Sequence, residues 1–226
     1  ACPQGIVGAG KRRAMECWGD PSSLALVLNA TDYLDISEGE NQLCAVASNG
    51  EIQCLGDSGS PPTESDFVSV AVGDEHSCAT TALGGIVCWG DDSDGKVGGA
   101  PEDGAGYWSL TASSHGTCAL DSQGSVECWG GDEDGLITDA PTGSGFNVVD
   151  MGRTHACALA PDGEIICWGA DNVEQVSAAP TGNGYLDLSV GGQHSCALTS
   201  SGYVKCWGAN ATAGDVGGCA DTCSAA

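Results

Sequence analysis

Basic residues are scarce. Six of the 226 residues are Lys or Arg, against 31 Asp and Glu, for a net charge of −25. A surface this acidic repels phosphate backbones, which argues against nucleic acid as a partner. It keeps an extracellular protein dispersed and attracts cations or a basic partner. Three of the six basic residues sit together as Lys11, Arg12 and Arg13. Long apolar runs are missing as well: the longest covers residues 24–28, far short of the roughly 20 residues of a membrane span. Aromatics are few, and no long window has helical periodicity, which leaves short strands as the building material. There is no C-x-x-C pair, so the cysteines do not read as zinc ribbons. The sequence starts at Ala1 with neither Met nor a basic-then-apolar leader, as a mature secreted chain does after removal of its signal peptide.

Cysteine and glycine are plentiful, with 14 and 36 residues. So much cysteine, in an even number, points to a disulfide framework outside the reducing cytoplasm. Five pairs are each ten positions apart: Cys44 and Cys54, Cys78 and Cys88, Cys118 and Cys128, Cys157 and Cys167, Cys196 and Cys206. A glycine follows the first cysteine of every pair by six residues, at Gly50, Gly84, Gly124, Gly163 and Gly202. Glycine supplies the left-handed conformation that a tight hairpin turn needs. With the turn centred there, the two cysteines face each other across an antiparallel pair, about 4.5–5.5 Å apart at Cα, and each hairpin can be stapled to itself. A bridge closing a loop of this size contributes roughly 2.7 kcal/mol on the chain-entropy model.

An aromatic-led stretch with alternating aliphatics precedes each hairpin, at 33–39, 67–73, 107–113, 146–152 and 185–191. That is the pattern of a half-buried strand. The third strand closes on Cys-Trp-Gly at Cys17, Cys88, Cys128, Cys167 and Cys206, with Leu55 in place of Trp after Cys54. These closing positions are 37, 34, 40, 39 and 39 residues apart, which makes six units. Evenly spaced three- or four-stranded units at this period predict an all-β chain, a β-propeller of six blades forming a single domain over 1–226.

The segments His76-Ser77-Cys78-Ala79, His155-Ala156-Cys157-Ala158-Leu159 and His194-Ser195-Cys196-Ala197-Leu198, each followed by a turn glycine and Cys-Trp-Gly, resemble regulator-of-chromosome-condensation repeats. The connector from Asp91 through Gly98 resembles that family's W-G-x-N-x-x-G-Q-L-G continuation. The resemblance covers residues 33–208 and implies a propeller, usually seven-bladed in the family, that works as a protein-interaction platform. The founding member is a nuclear exchange factor that docks on chromatin. This acidic, cysteine-paired chain is more similar to secreted relatives, among them propeller-type β-lactamase inhibitors.

Val216 through Cys223 parallels Val190 through Cys196 with one extra residue. The two termini are therefore expected to share a closing blade, with Cys223 on its second strand and Cys17 on its third. A Cys17–Cys223 bridge then locks the ring and Cys2 pairs with Cys219. The rival pairing, Cys2–Cys17 with Cys219–Cys223, leaves the ring open.

The candidate site residues each have a plainer alternative. His76, His155 and His194 recur two residues before a cysteine, with His115 one place out of register and Gln42 in their position in another unit. Blades hold such residues too far apart for one tetrahedral metal site, so a repeated hydrogen-bonding role is expected. Asp74, His76 and Ser77 are local and lack an oxyanion-hole motif, and we read no enzyme here. Asp92 and Asp94, and likewise Asp132 and Asp134, resemble calcium loops but lack the later bidentate Glu of an EF-hand. They are expected to be connector turns, with weak calcium binding the alternative and no other cofactor. Trp18, Trp89, Trp129, Trp168 and Trp207 recur at one position, as packing between blades or, alternatively, as a sugar platform. Asn29 and Asn210 open N-x-[ST] triplets and are candidate glycosylation sites. Taken together, these features describe a secreted, extracellular, non-enzymatic scaffold for protein partners or self-association. The alternatives are a polymer-forming structural subunit, a carbohydrate-binding propeller or an inhibitor of secreted enzymes.

Overall fold

The structure, a computed structural model, describes residues 32–56, 59–102, 104, 106–209 and 223–224. Each sequence unit within them folds as an antiparallel sheet with its strands in chain order. The first sheet is β1 (Tyr33–Glu38), β2 (Gln42–Ala47) and β3 (Ile52–Gly56), and the second is β4 (Phe67–Val72), β5 (His76–Thr81) and β6 (Ile86–Gly90). The third contains β7 (Ser109–Ala112), β8 (Gly116–Leu120) and β9 (Val126–Gly130), and the fourth β10 (Val148–Met151), β11 (His155–Leu159) and β12 (Ile165–Gly169). The fifth contains β13 (Tyr185–Val190), β14 (His194–Thr199) and β15 (Tyr203–Gly208). A short strand, β16 (Cys223–Ser224), runs antiparallel to β15 as the fourth member of that sheet, with Cys223 opposite Val204. Cys223, expected on the second strand of a closing blade, is thus paired at the outer edge of the fifth sheet, and Cys2, Cys17 and Cys219 lie outside the described residues.

The hairpins form as their spacing predicts. Gly50, Gly84, Gly124, Gly163 and Gly202 all have φ between 73° and 84°, a region that costs a side-chain-bearing residue about 1 kcal/mol or more. The five cysteine pairs are bonded across their own hairpins. Their Cα atoms are 4.0–4.1 Å apart, closer than the spacing expected from sequence. Ala47 donates to the Glu51 carbonyl, which makes the cysteines three residues along a non-hydrogen-bonded pair, the closer kind.

The turn also determines where the next blade begins. The carbonyl of Gly50, Gly84, Gly124 and Gly163 accepts the N–H of Phe67, Tyr107, Phe146 and Tyr185 in turn, at 2.9–3.2 Å. Ladder pairing starts at the aromatic itself in β4 and β13, and two residues after it in β7 and β10. The aromatic then packs on the blade behind it. Phe67 and Trp89 cluster with Cys44 and Val46, Tyr107 and Trp129 with Cys78, and Tyr185 and Trp207 with Cys157 and Leu159. The core therefore lies between sheets as well as within them, and burying one such ring contributes on the order of 2–3 kcal/mol. The inner strands follow one another as β1, β4, β7, β10 and β13 and surround a central cavity of about 680 Å³. This is a β-propeller, with five blades among the described residues.

Candidate interaction surfaces

Inner strands are sheet edges, so every second N–H points away from its own blade and needs an acceptor. At three seams one register position in the preceding blade provides it. This position faces the second-strand cysteine and is occupied by Ser37, Ala71, Thr111, Asp150 and Ser189. Val72 N–H donates to Ser37 Oγ at 3.0 Å, Met151 N–H to Thr111 Oγ1 at 3.2 Å and Val190 N–H to Asp150 Oδ2 at 2.7 Å. Asp150 also accepts from Thr111 Oγ1 at 2.9 Å. Burial raises its carboxyl above the usual range, against the pull of these donors. Two residues earlier in β1, Asp35 Oδ2 accepts from Ser69 Oγ and Val70 N–H. Asp35 and Asp150 on the cavity wall thus serve as fasteners between blades.

At the far end of the inner strands the backbones touch. A Cβ on Gly39, Gly73 or Gly152 would lie 2.0–2.1 Å from the carbonyl oxygen of Gly73, Ser113 or Gly191 in the next blade. Beside these contacts lie the histidines. His76 Nε2 is 2.8 Å from Thr117 Oγ1, and His155 Nε2 is 2.7 Å from Ser195 Oγ, each reaching the next blade's second strand. Gln42, at the same register, donates to the carbonyls of Gly73 and His76. Both imidazoles are fully buried. Desolvation lowers each to a pKa of about 4, assisted by Lys96 near His76 and by His194 near His155. Ser77 Oγ is buried without a hydrogen-bond partner, and the His76 imidazole is directed at Thr117, so Asp74, His76 and Ser77 do not form a relay. Gly116 takes the histidine's register in the third blade. The displaced His115 contacts the Arg153 carbonyl and Glu133 instead. Arg153 in turn pairs with Glu40 at 3.9 Å and Asp74 at 3.6 Å, linking three blades at this mouth of the cavity.

The acidic connectors cap their own turns. Asp92 Oδ1 accepts from the N–H groups of Gly98 and Val97, Asp132 Oδ1 from Thr138 and Ile137, and Asp171 Oδ1 from Ser177 and Val176. These backbone donors hold all three carboxyls below the usual range. Asp94 and Asp134 occupy left-handed positions in the same turns, at φ 61° and 54°. Among the described residues no group of three potential metal ligands is brought together. The turns also receive the tryptophans: the indole N–H of Trp129, Trp168 and Trp207 donates to the carbonyl of Lys96, Leu136 and Gln175 at 2.8–3.1 Å. Trp89 follows the first connector, whose described residues form no such turn, and its N–H is buried without a partner. Trp18, Asn29 and Asn210 lie outside the described residues.

The opposite mouth carries a feature that strand alternation does not reveal. The pairing register jumps between Tyr33 and Asp35, Phe67 and Ser69, and Tyr185 and Asp187. Such bulges free the residue between, and Leu34, Val68 and Leu186 are 38%, 43% and 60% exposed. Trp108, at the same place in the third blade, is 53% exposed.

A family model for the regulator of chromosome condensation (RCC1) repeat matches residues 67–96 and 186–212, the second blade with the start of its connector and most of the fifth. Two of the blades thus match the condensation-regulator repeat. Solved structures with the same fold include the entire ectodomain of the receptor kinase CR4 from Physcomitrella patens, at 27% identity and a TM-score of 0.63, covering 76% of this chain and 49% of that one. The CRINKLY WD40 ectodomain of the Arabidopsis thaliana receptor kinase ACR4 aligns at 26% identity and a TM-score of 0.64, covering 78% and 64%. Yeast RCC1 (Prp20), solved bound to Kap60, shares the fold at 16% identity and a TM-score of 0.64, covering 78% of this chain and 56% of that one. The chain spans about half of the first ectodomain structure and less than two thirds of the second. No match is found among curated proteins. Among the described residues no helix is long and apolar enough to cross a membrane.

Proposed function

We propose that the chain is an extracellular, non-enzymatic interaction scaffold, a propeller whose blades are individually stapled and whose faces are displayed to a protein partner. One observation carries this reading. The buried groups with chemical potential, His76, His155 and Asp150, are engaged in holding blade to blade, whereas apolar side chains are left in solvent at one mouth. The five disulfides and the resemblance to two receptor ectodomains support an oxidising location. The test is cross-linking mass spectrometry on the native protein in its extracellular fluid. A reproducible cross-linked partner is the expected result, and turnover of a substrate by the purified chain would overturn the reading. Closure of the ring by Cys17–Cys223 and Cys2–Cys219 belongs to the same proposal. Non-reducing peptide mapping checks it, and Cys2–Cys17 together with Cys219–Cys223 would refute it.

A further inference from the structure

The geometry points to the bulged mouth as the docking site, with an apolar polypeptide segment that carries Lys or Arg as its occupant. Leu34, Val68, Trp108 and Leu186 occupy one position in four of the five described blades, and the remaining one, the fourth, has Asn147. Each lies next to a residue that begins the cavity wall or its approach, as Leu34 precedes Asp35 and Leu186 precedes Asp187. They therefore gather around one opening, and three of them are unpaired bulge residues with no ladder to serve. Exposed apolar side chains clustered on a structural ring mark an interaction surface.

Charge selects the occupant. Strand starts and hairpin turns share this end, where Asp66, Asp187, Glu51, Asp162 and Glu164 are exposed. Of the described cations, Lys96 and Arg153 pair with carboxylates, and Lys205 lies over the Tyr185 ring, 5.7 Å from its centre. A second copy of the chain would bring a further net charge of −25 and the same acidic rim, so self-association through this mouth is opposed. A basic, apolar partner gains both burial and attraction.

This inference rests on the scaffold reading and narrows it to one surface. The probe is a synthetic peptide of alternating leucine and lysine, titrated at physiological salt against the oxidised full chain. Trp108 reports binding, because the other tryptophans among the described residues, Trp89, Trp129, Trp168 and Trp207, are buried. A blue shift on binding is expected, absent in Trp108→Phe. Leu34→Ser with Leu186→Ser weakens binding at least about tenfold, and Val68→Ser alone weakens it less. Thermal melting establishes that each variant is folded. Peptides of alternating leucine and glutamate, or serine and lysine, bind at least about tenfold more weakly. Equal binding of the leucine–glutamate peptide, or full affinity in the folded serine variants, overturns the inference. So does dimerisation through this mouth in sedimentation. A native partner cross-linked elsewhere on the ring would sink this site while leaving the scaffold reading intact, whereas substrate turnover would sink the scaffold reading itself.

Discussion

Between β10 and β13 the residue facing the second-strand cysteine is Asp150, and between β4 and β7 it is Ala71. Asp150 accepts from the next blade's Val190 N–H and from Thr111 of the blade behind, so one carboxylate joins three blades. Ala71 has no side-chain acceptor to offer Ala112, although Ser37 and Thr111 at that register serve Val72 and Met151. Both seams nonetheless bury an aromatic against the previous blade and bring strand-end backbones into contact. Burial and backbone approach are therefore the common basis of the seams, and the side-chain fastener is an addition that one seam lacks.

The most damaging way to break the comparison is to attack what both seams share. In Gly152→Ala the new methyl would sit 2.0 Å from the Gly191 carbonyl oxygen, and in Gly73→Ala 2.1 Å from that of Ser113. Both neighbours are backbone and cannot swing away. Each variant should lose about 3 kcal/mol in denaturant unfolding, whether or not its seam has a fastener. A loss confined to one of them would mean that the seams have no common basis. Removing the fastener costs less. Asp150→Ala leaves Val190 N–H without its acceptor and should cost about 2 kcal/mol by the same measurement.

Acid offers a graded test. His76 and His155 have pKa values of about 4 when folded, against 6.5 for a free imidazole, so they take up protons on unfolding. Their contribution is complete above about pH 6.5 and declines as the pH falls toward about 4. Melting temperature should drop across that window, and the slope should flatten in His76→Gln with His155→Gln. Gln42 shows that glutamine serves this register, donating to the next blade's carbonyls. Asp150 acts in the opposite sense, because its raised pKa makes the folded chain the better proton acceptor. Asp150→Ala should therefore steepen the acid slope while lowering stability overall. A melting temperature that stays flat from pH 7 to pH 4 in the parent chain would refute the role given to the histidines.

What could be read in advance follows from the range of each interaction. The hairpins depend on residues ten apart, so Cys157, Gly163 and Cys167 declare themselves in the sequence, and the period of the units follows. The seams depend on residues about 40 apart, where nothing in Gly152 announces that its missing Cβ makes room for the carbonyl of Gly191. Strand alternation placed Leu34 and Leu186 on half-buried strands, whereas a bulge turns both outward, and a bulge depends on the partner strand's register. The acidic connectors were expected as turns, with calcium binding the alternative, and carboxylate spacing alone did not show that Asp92 and Asp132 accept from backbone amides five and six residues on. The tryptophans were legible as packing residues, but the indole bond to the preceding connector was not.

The gentlest change tests the comparison from the other side, by adding to the weaker seam what it lacks. Ala71 is buried on the cavity wall, at the register from which Ser37 Oγ accepts Val72 N–H at 3.0 Å. A hydroxyl there should accept Ala112 N–H in the same way, with no change of backbone. Ala71→Ser is expected to gain about 0.5–1 kcal/mol, visible as a small rise in melting temperature, and to slow hydrogen exchange at Ala112 while leaving Val190 unchanged. If stability falls instead, the Ala71 position is set by packing and the register rule does not hold at that seam. A gain without protection at Ala112 would place the new hydroxyl's partner elsewhere and remove Ala71 from the set of equivalent positions.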